Sequence, residues 1–252
     1  MTGLLAFMER WKPGSTEGFE PATAEQIVAL AKPHGGLHAL PPVYREFLET
    51  MGASTGDLRL TFGTTSISAL LADLAAPQRE RPDSRHFLKF AIGEDDDNGR
   101  QPDEFFELTR PTPDGRDAAI LSIREEDLVS RKSNAERLFP TFSDWLRSIV
   151  ASRVVFETEP EKQTQYYSLG EQPGTPARAY EFFTRLGFSL TELGASADVV
   201  LLEQPERGAI ALLSAPSTWI PRTGVQLRAR DKTQQRLLEE IFSDHEKALS
   251  GG

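Results

Sequence analysis

The chain has 252 residues, 38% of them hydrophobic, enough for one large domain or two ordinary ones with real cores. Its 28 Lys and Arg stand against 38 Asp and Glu, a formal charge of -10 that argues against nucleic acid or an anionic membrane as the main partner and suits a basic one. With no cysteine there is no disulfide, no thiolate metal site and no cysteine nucleophile, which fits a reducing compartment with the cytoplasm as the default.

Leu4, Phe7, Met8 and Trp11 lie at helical spacing and predict a first helix over 3–11, ended by Pro13 and Gly14. Glu9 and Arg10 break its apolar run and no basic lead-in precedes it, so a signal peptide is not expected. No stretch approaches the roughly 18 apolar residues of a membrane span. Thr23 and Gln26 have the form of a capping box ahead of Ile27, Val28, Leu30 and Ala31, and predict a second helix to about Lys32. Leu40 to Gly52 predicts a third. Pro42 suits the first helical position, Tyr44, Phe47, Leu48 and Met51 share a face, and Gly52 is expected to close the helix in the left-handed conformation. Leu58 to Phe62 alternates as a short strand, Ile67, Leu70, Leu71 and Leu74 mark a helix ended by Pro77, and the charged stretch 78–85 predicts a surface loop.

Phe87 to Ile92 and Glu104 to Leu108 predict two strands of an antiparallel hairpin, joined by the acidic turn Glu94-Asp95-Asp96-Asp97-Asn98-Gly99. Pro113-Asp114-Gly115 predicts a turn, Ala118 to Ile123 a strand, and Thr141 the cap of a helix whose face is Phe142, Trp145, Leu146 and Ile149. Helices, a meander of about four strands and a closing helix make α+β rather than βαβ. Beyond Ser152 the pattern restarts: Val154 to Phe156 as a strand, 160–165 as a polar link, and a helix from Thr175 to Gly187. A hairpin follows, turning at Pro205 to Gly208, then a strand at Val225 to Leu227 and a last helix capped by Asp231, with Gly251 and Gly252 fraying. The predicted domains are therefore residues 1–152 and 153–252, the second a smaller α+β unit.

Few residues form a chemical constellation. Gly52-Ala53-Ser54-Thr55-Gly56 matches Gly-x-Ser-x-Gly, but a nucleophile elbow needs a strand before the serine and a helix after it, and here the order is inverted. A helix end followed by a turn explains it. His34, His38, His86 and His245 are scattered, and no phosphate-binding loop, dinucleotide fingerprint or metalloprotease helix occurs. Neither a metal nor a cofactor is expected. The acidic run does not fit a calcium loop, because starting at Glu94 puts Phe105 at the bidentate glutamate position. It is either a solvated hairpin tip or a docking surface for a basic partner, and Glu94, Asp95, Asp96 and Asp97 are the candidate contacts.

The order of elements over residues 4–150 resembles the SUKH superfamily, which includes the fungal Smi/Knr-like cell-wall regulator and many bacterial immunity proteins. The residues carrying the resemblance are Ile27, Leu40 to Leu48 with Met51-Gly52, and Phe87 to Gly93 leading into the acidic turn. Phe105-Phe106-Glu107-Leu108 and Phe142-Ser143-Asp144-Trp145-Leu146 complete it. The resemblance implies a non-enzymatic domain of helices packed on an antiparallel sheet that binds a protein partner, in bacteria typically a cognate toxin. Residues 1–150 carry 24 acidic and 17 basic residues, a balance of -7, so most of the acidity lies in this half. Ala179 to Phe188 resembles the helix of a glyoxalase-type half-module, without clear equivalents of that family's metal-binding histidines and glutamates; a generic layer of helices on a sheet explains the same pattern. The expected function is toxin neutralisation by direct binding. An intracellular regulatory scaffold of the same fold, or a small-ligand binder or enzyme built on the C-terminal half, are the alternatives.

Overall fold

In the computed structural model, which describes residues 1–61, 63–77, 82–96, 99–124, 136–156, 165–170, 172, 174–196, 198–215 and 222–250, the chain is α+β with antiparallel sheets. Phe62, the 78–81 part of the charged stretch, Asp97, Asn98, most of the 160–165 link and the terminal Gly251 and Gly252 lie outside the described residues. Two compact units emerge, one formed by Met1–Leu5 and Pro13–Leu146, the other by Ala6–Lys12 and Arg147–Gly252.

The first unit begins with the helical elements. Helix α1 (Thr2–Trp11) is divided between the units, and a two-residue strand β1 (Phe19–Glu20) follows it. Helix α2 (Ala24–Ala31) starts with the full capping box: Thr23 Oγ1 accepts from Gln26 N and the Gln26 side chain accepts from Thr23 N. Helix α3 (Pro42–Met51) has Pro42 at its start and buries Tyr44, Phe47, Leu48 and Met51. Its end differs from expectation, because Gly52 stays right-handed at φ -72°. The position needs glycine for space instead, since a Cβ there would lie 2.7 Å from the Leu48 Cα.

Strand β2 (Ser54–Thr55) pairs with β1. The predicted strand over Leu58 to Phe62 is not one: residues 58–61 are irregular, with Leu58 and Leu60 buried, and the chain enters the sheet only at β3 (Gly63–Thr64). Alternation here reflects two leucines seated in a core without a ladder. Helix α4 (Ile67–Ala75) then leads to the sheet proper, formed by β4 (Phe87–Gly93), β7 (Asp103–Pro111), β8 (Ala118–Ile123) and β9 (Glu136–Phe139), in the order β3-β4-β7-β8-β9. Strands β5 (Asp95–Asp96) and β6 (Gly99–Arg100) form a separate small ladder between β4 and β7.

On one face of this sheet, Tyr44 and Phe47 of α3, Phe90, Phe106, and Phe142 and Trp145 of helix α5 (Phe142–Val150) form one buried aromatic cluster. Ring centroids lie 4.8 Å apart for Tyr44 and Phe106 and 5.1 Å for Phe90 and Trp145, the spacing of tilted and edge-to-face pairs. A smaller cluster of Phe105, Leu121 and Ile123, with Phe87 against it, forms separately, and β8 is buried throughout. Asp117, buried beneath α5, accepts from Phe142 N at 3.0 Å and from Ser143 N at 2.9 Å, so the start of α5 is satisfied by a carboxylate 25 residues upstream.

In the second unit the predicted strand at Val154 to Phe156 is helical, a wider-wound continuation of α5 over Ala151–Phe156. All three side chains are buried, so packing overrides their β preference. A five-stranded antiparallel sheet follows in the order β10-β14-β13-β12-β11, built from β10 (Gln165–Ser168), β11 (Ser189–Ala195), β12 (Val199–Gln204), β13 (Ala209–Ser214) and β14 (Gly224–Ala229). The predicted hairpin is β12 and β13, closed by Gly208 at φ 55°. Both edge strands, β10 and β11, went unanticipated. Helices α6 (Thr175–Arg185) and α7 (Lys232–Ser250) cover one face through Phe183, Leu238 and Phe242. The alternating residues Leu201, Ile210 and Leu212 are also buried, and Arg10 of α1 pairs with Glu192 at 2.7 Å and Glu203 at 2.8 Å on β11 and β12.

Candidate functional site: the acidic hairpin tip

The acidic run sits where β4 turns toward β7. At Gly93 the two arms approach so closely that a Cβ would clash with the Gln101 carbonyl, which is why the strand ends on glycine. Gly93 N donates to Asp103 Oδ1 at 3.0 Å and Gln101 N donates to Glu94 O at 3.0 Å, tying both arms together below the tip. Asp103 is buried and its other oxygen lies 2.6 Å from Lys89 Nζ, which also meets Asp73 at 3.0 Å. The tip is therefore mounted on a partly buried, charge-paired base, the setting in which ion pairs hold geometry better than on open surface.

Above the base, Glu94 and Asp95 are exposed, and no ion pair reaches either carboxylate among the described residues. Asp95 and Asp96 pair through the backbone with Arg100 and Gly99. The fourth candidate, Asp97, lies outside the described residues. The structure thus brings Glu94 and Asp95 together on one exposed turn and adds a residue that sequence reasoning missed: Arg100, opposite Asp95 in the ladder and 3.7 Å from Asp103. Only strand register reveals it. Gly99 adopts φ 105°, the left-handed turn geometry that a Gly after Asn signals in sequence.

Elsewhere the catalytic types stay apart. Ser54 follows a helix, and its Oγ accepts from Gly56 N at 3.1 Å, closing a small turn. His34 Nδ1 lies 2.6 Å from the Ser84 carbonyl, and burial lowers its pKa. His245 Nδ1 lies 2.8 Å from Ile241 O on α7. Among the described residues no three His, Asp or Glu side chains form a metal-binding group, and no helix is long and apolar enough to cross a membrane. Glu104 is half-buried with its Oε2 sealed from solvent, and desolvation raises its pKa to about 8.

Fold and site together define an α+β protein carrying an exposed acidic tip on a two-armed, ion-paired base. Compared with protein-family models, curated proteins and solved structures, the chain matches none.

Proposed function

We propose that this chain is a protein-binding module that neutralises a cognate basic toxin by direct contact, with the acidic tip as part of the contact surface. One observation carries the reading: Glu94 and Asp95 are exposed without an ion pair among the described residues, while Asp103, bonded to the adjacent Gly93, is paired with Lys89. Carboxylates that lack an internal partner and sit on a braced turn are placed for an external cation. The net charge of -10 gives the same sign at longer range, raising encounter rates with basic proteins. The order of elements resembling the SUKH superfamily supports a binding role rather than catalysis, and a reducing cytoplasm suits a chain without cysteine.

Growth rescue tests it: the chain is expressed together with the toxin encoded beside its gene, and cell growth and complex formation by size-exclusion chromatography are followed. Rescue with a co-eluting complex is expected. Continued killing by a toxin that the folded chain does not bind would overturn the reading.

A further inference from the structure

The first unit holds a cavity that Glu94 and Asp95 of the acidic tip do not line, although Lys89 and Asp73 of the tip's base do. Its apolar wall is formed by Leu30 of α2, Leu70 and Leu74 of α4, Phe87 of β4, Phe105 of β7, and Pro82. Asp73, Ser84, Lys89 and His34 line it as well, and two of them present a group to an occupant. One is Lys89, whose ammonium is held by Asp73 and Asp103 and sits 5.6 Å from the Phe105 ring centroid. The other is His34.

The hydrogen-bonding state of each group sets the chemistry of an occupant. A backbone carbonyl only accepts, so His34 Nδ1, 2.6 Å from Ser84 O, carries the proton. Burial disfavours a second proton on the ring, which leaves Nε2 as an acceptor. Lys89 has three N–H donors and two carboxylate partners, so one donor remains. With Arg100 3.7 Å from Asp103, two cationic side chains face the two carboxylates Asp73 and Asp103, so the charges of the cluster are matched. A further cation would meet the ammonium and a further anion the carboxylates, and neither would recover its hydration inside apolar walls.

We propose that this cavity is a binding site for a small uncharged amphiphile, a ring or short branched alkyl body carrying one hydroxyl. The hydroxyl gives its proton to His34 Nε2 or takes one from Lys89, and the body fills the leucine and phenylalanine wall. Size agrees: the cavity of about 60 Å³ takes roughly four or five waters where one needs about 10–15 Å³, the bulk of a single six-membered ring. Mostly apolar lining with a few fixed polar groups is the usual make-up of small-molecule sites. This site stands independently of toxin binding.

The test is phenol titrated into the full chain, followed by NMR shifts of the Leu30 and Leu70 methyl groups and by melting temperature, with toluene, benzoate and benzylamine as comparisons. Saturable shifts and a raised melting temperature with phenol are expected, with binding at least about tenfold weaker for the two charged compounds, the size of one lost polar interaction. Leu74→Trp, filling the cavity, should abolish the saturable shifts. His34→Phe should bring phenol down to the affinity of toluene, and cooperative melting of each variant checks that it folds. No saturable shift with phenol, or undiminished binding in both folded variants, would overturn the site; equal affinity of phenol and toluene for the unaltered chain would overturn the ligand class.

Discussion

Glu104 shows how one residue can set a pH response. It lies on β7 between Ala91 and Ser122, and its Oε2 is sealed from solvent with no hydrogen-bond partner. Desolvation alone raises its pKa from 4.5 to about 8. In the unfolded chain the group loses its proton near the ordinary value, whereas in the folded chain it keeps it to about pH 8, so between these limits unfolding releases a proton. Stability therefore falls as pH rises through that window and levels off above it. Glu104→Gln should match the parent at pH 4 and exceed it at pH 8.5 by at most about 5 kcal/mol, since each pKa unit corresponds to about 1.4 kcal/mol. Urea unfolding at the two pH values measures this. Equal stabilities at pH 8.5 would mean that the carboxylate finds solvent or a partner. Composition and pattern gave no hint of Glu104, because a charged residue on a half-buried strand reads as solvated until the packing around its carboxyl is known.

Among the elements, local chemistry separates what sequence reveals from what it hides. Helices α2, α3 and α7 are legible because their stops and caps are local: Thr23 with Gln26, Pro42 at a first turn, and Asp231 Oδ1 accepting from Gln234 N at 2.9 Å. The helical run at Val154 to Phe156 is illegible, since β-branched residues are there held by burial. Edge strands β10 and β11 escaped because each is paired on one side only and carries few buried apolar side chains, Thr191 being the buried one on β11. The acidic tip was readable as a run of carboxylates between two strands, but its clamp at Asp103 and the opposing Arg100 depend on register. The capping of α5 is half local: Thr141, the cap read from sequence, accepts from Asp144 N at 3.0 Å, while the remaining donors go to a distant carboxylate. Asp117 takes Ala118 N at 2.7 Å, Phe142 N at 3.0 Å, Ser143 N at 2.9 Å and Ser143 Oγ at 2.6 Å. Asp117→Ala strands these buried donors at once, and a loss of about 3 kcal/mol in urea unfolding at neutral pH is expected. A loss below about 1 kcal/mol would mean that water replaces the carboxylate.

For the whole molecule, the division of the chain matters first. Ala6–Lys12 and Arg147–Phe156 group with the second unit, where Arg10 pairs with Glu203 and Arg147 Nε donates to Leu193 O at 2.9 Å. A fragment cut at 153–252 loses Ala6–Lys12 and residues 147–152, and should expose Leu201, Ile210 and Leu212 and melt without cooperativity; a sharp two-state melt would show that one helical layer suffices. Charge acts at the same scale. The acidity concentrated in residues 1–150 and the braced tip should steer a basic toxin, so replacing Asp95, Asp96 and Asp97 together by Asn should leave melting unchanged and slow association. The measurement that decides between a docking surface and a solvated loop is stopped-flow association of the cognate toxin with the parent and this triple variant at two salt concentrations. A slower association rate with a flatter salt dependence, and little change in dissociation, is the predicted result. Identical rates at both salt concentrations would contradict it and remove the tip from the interface.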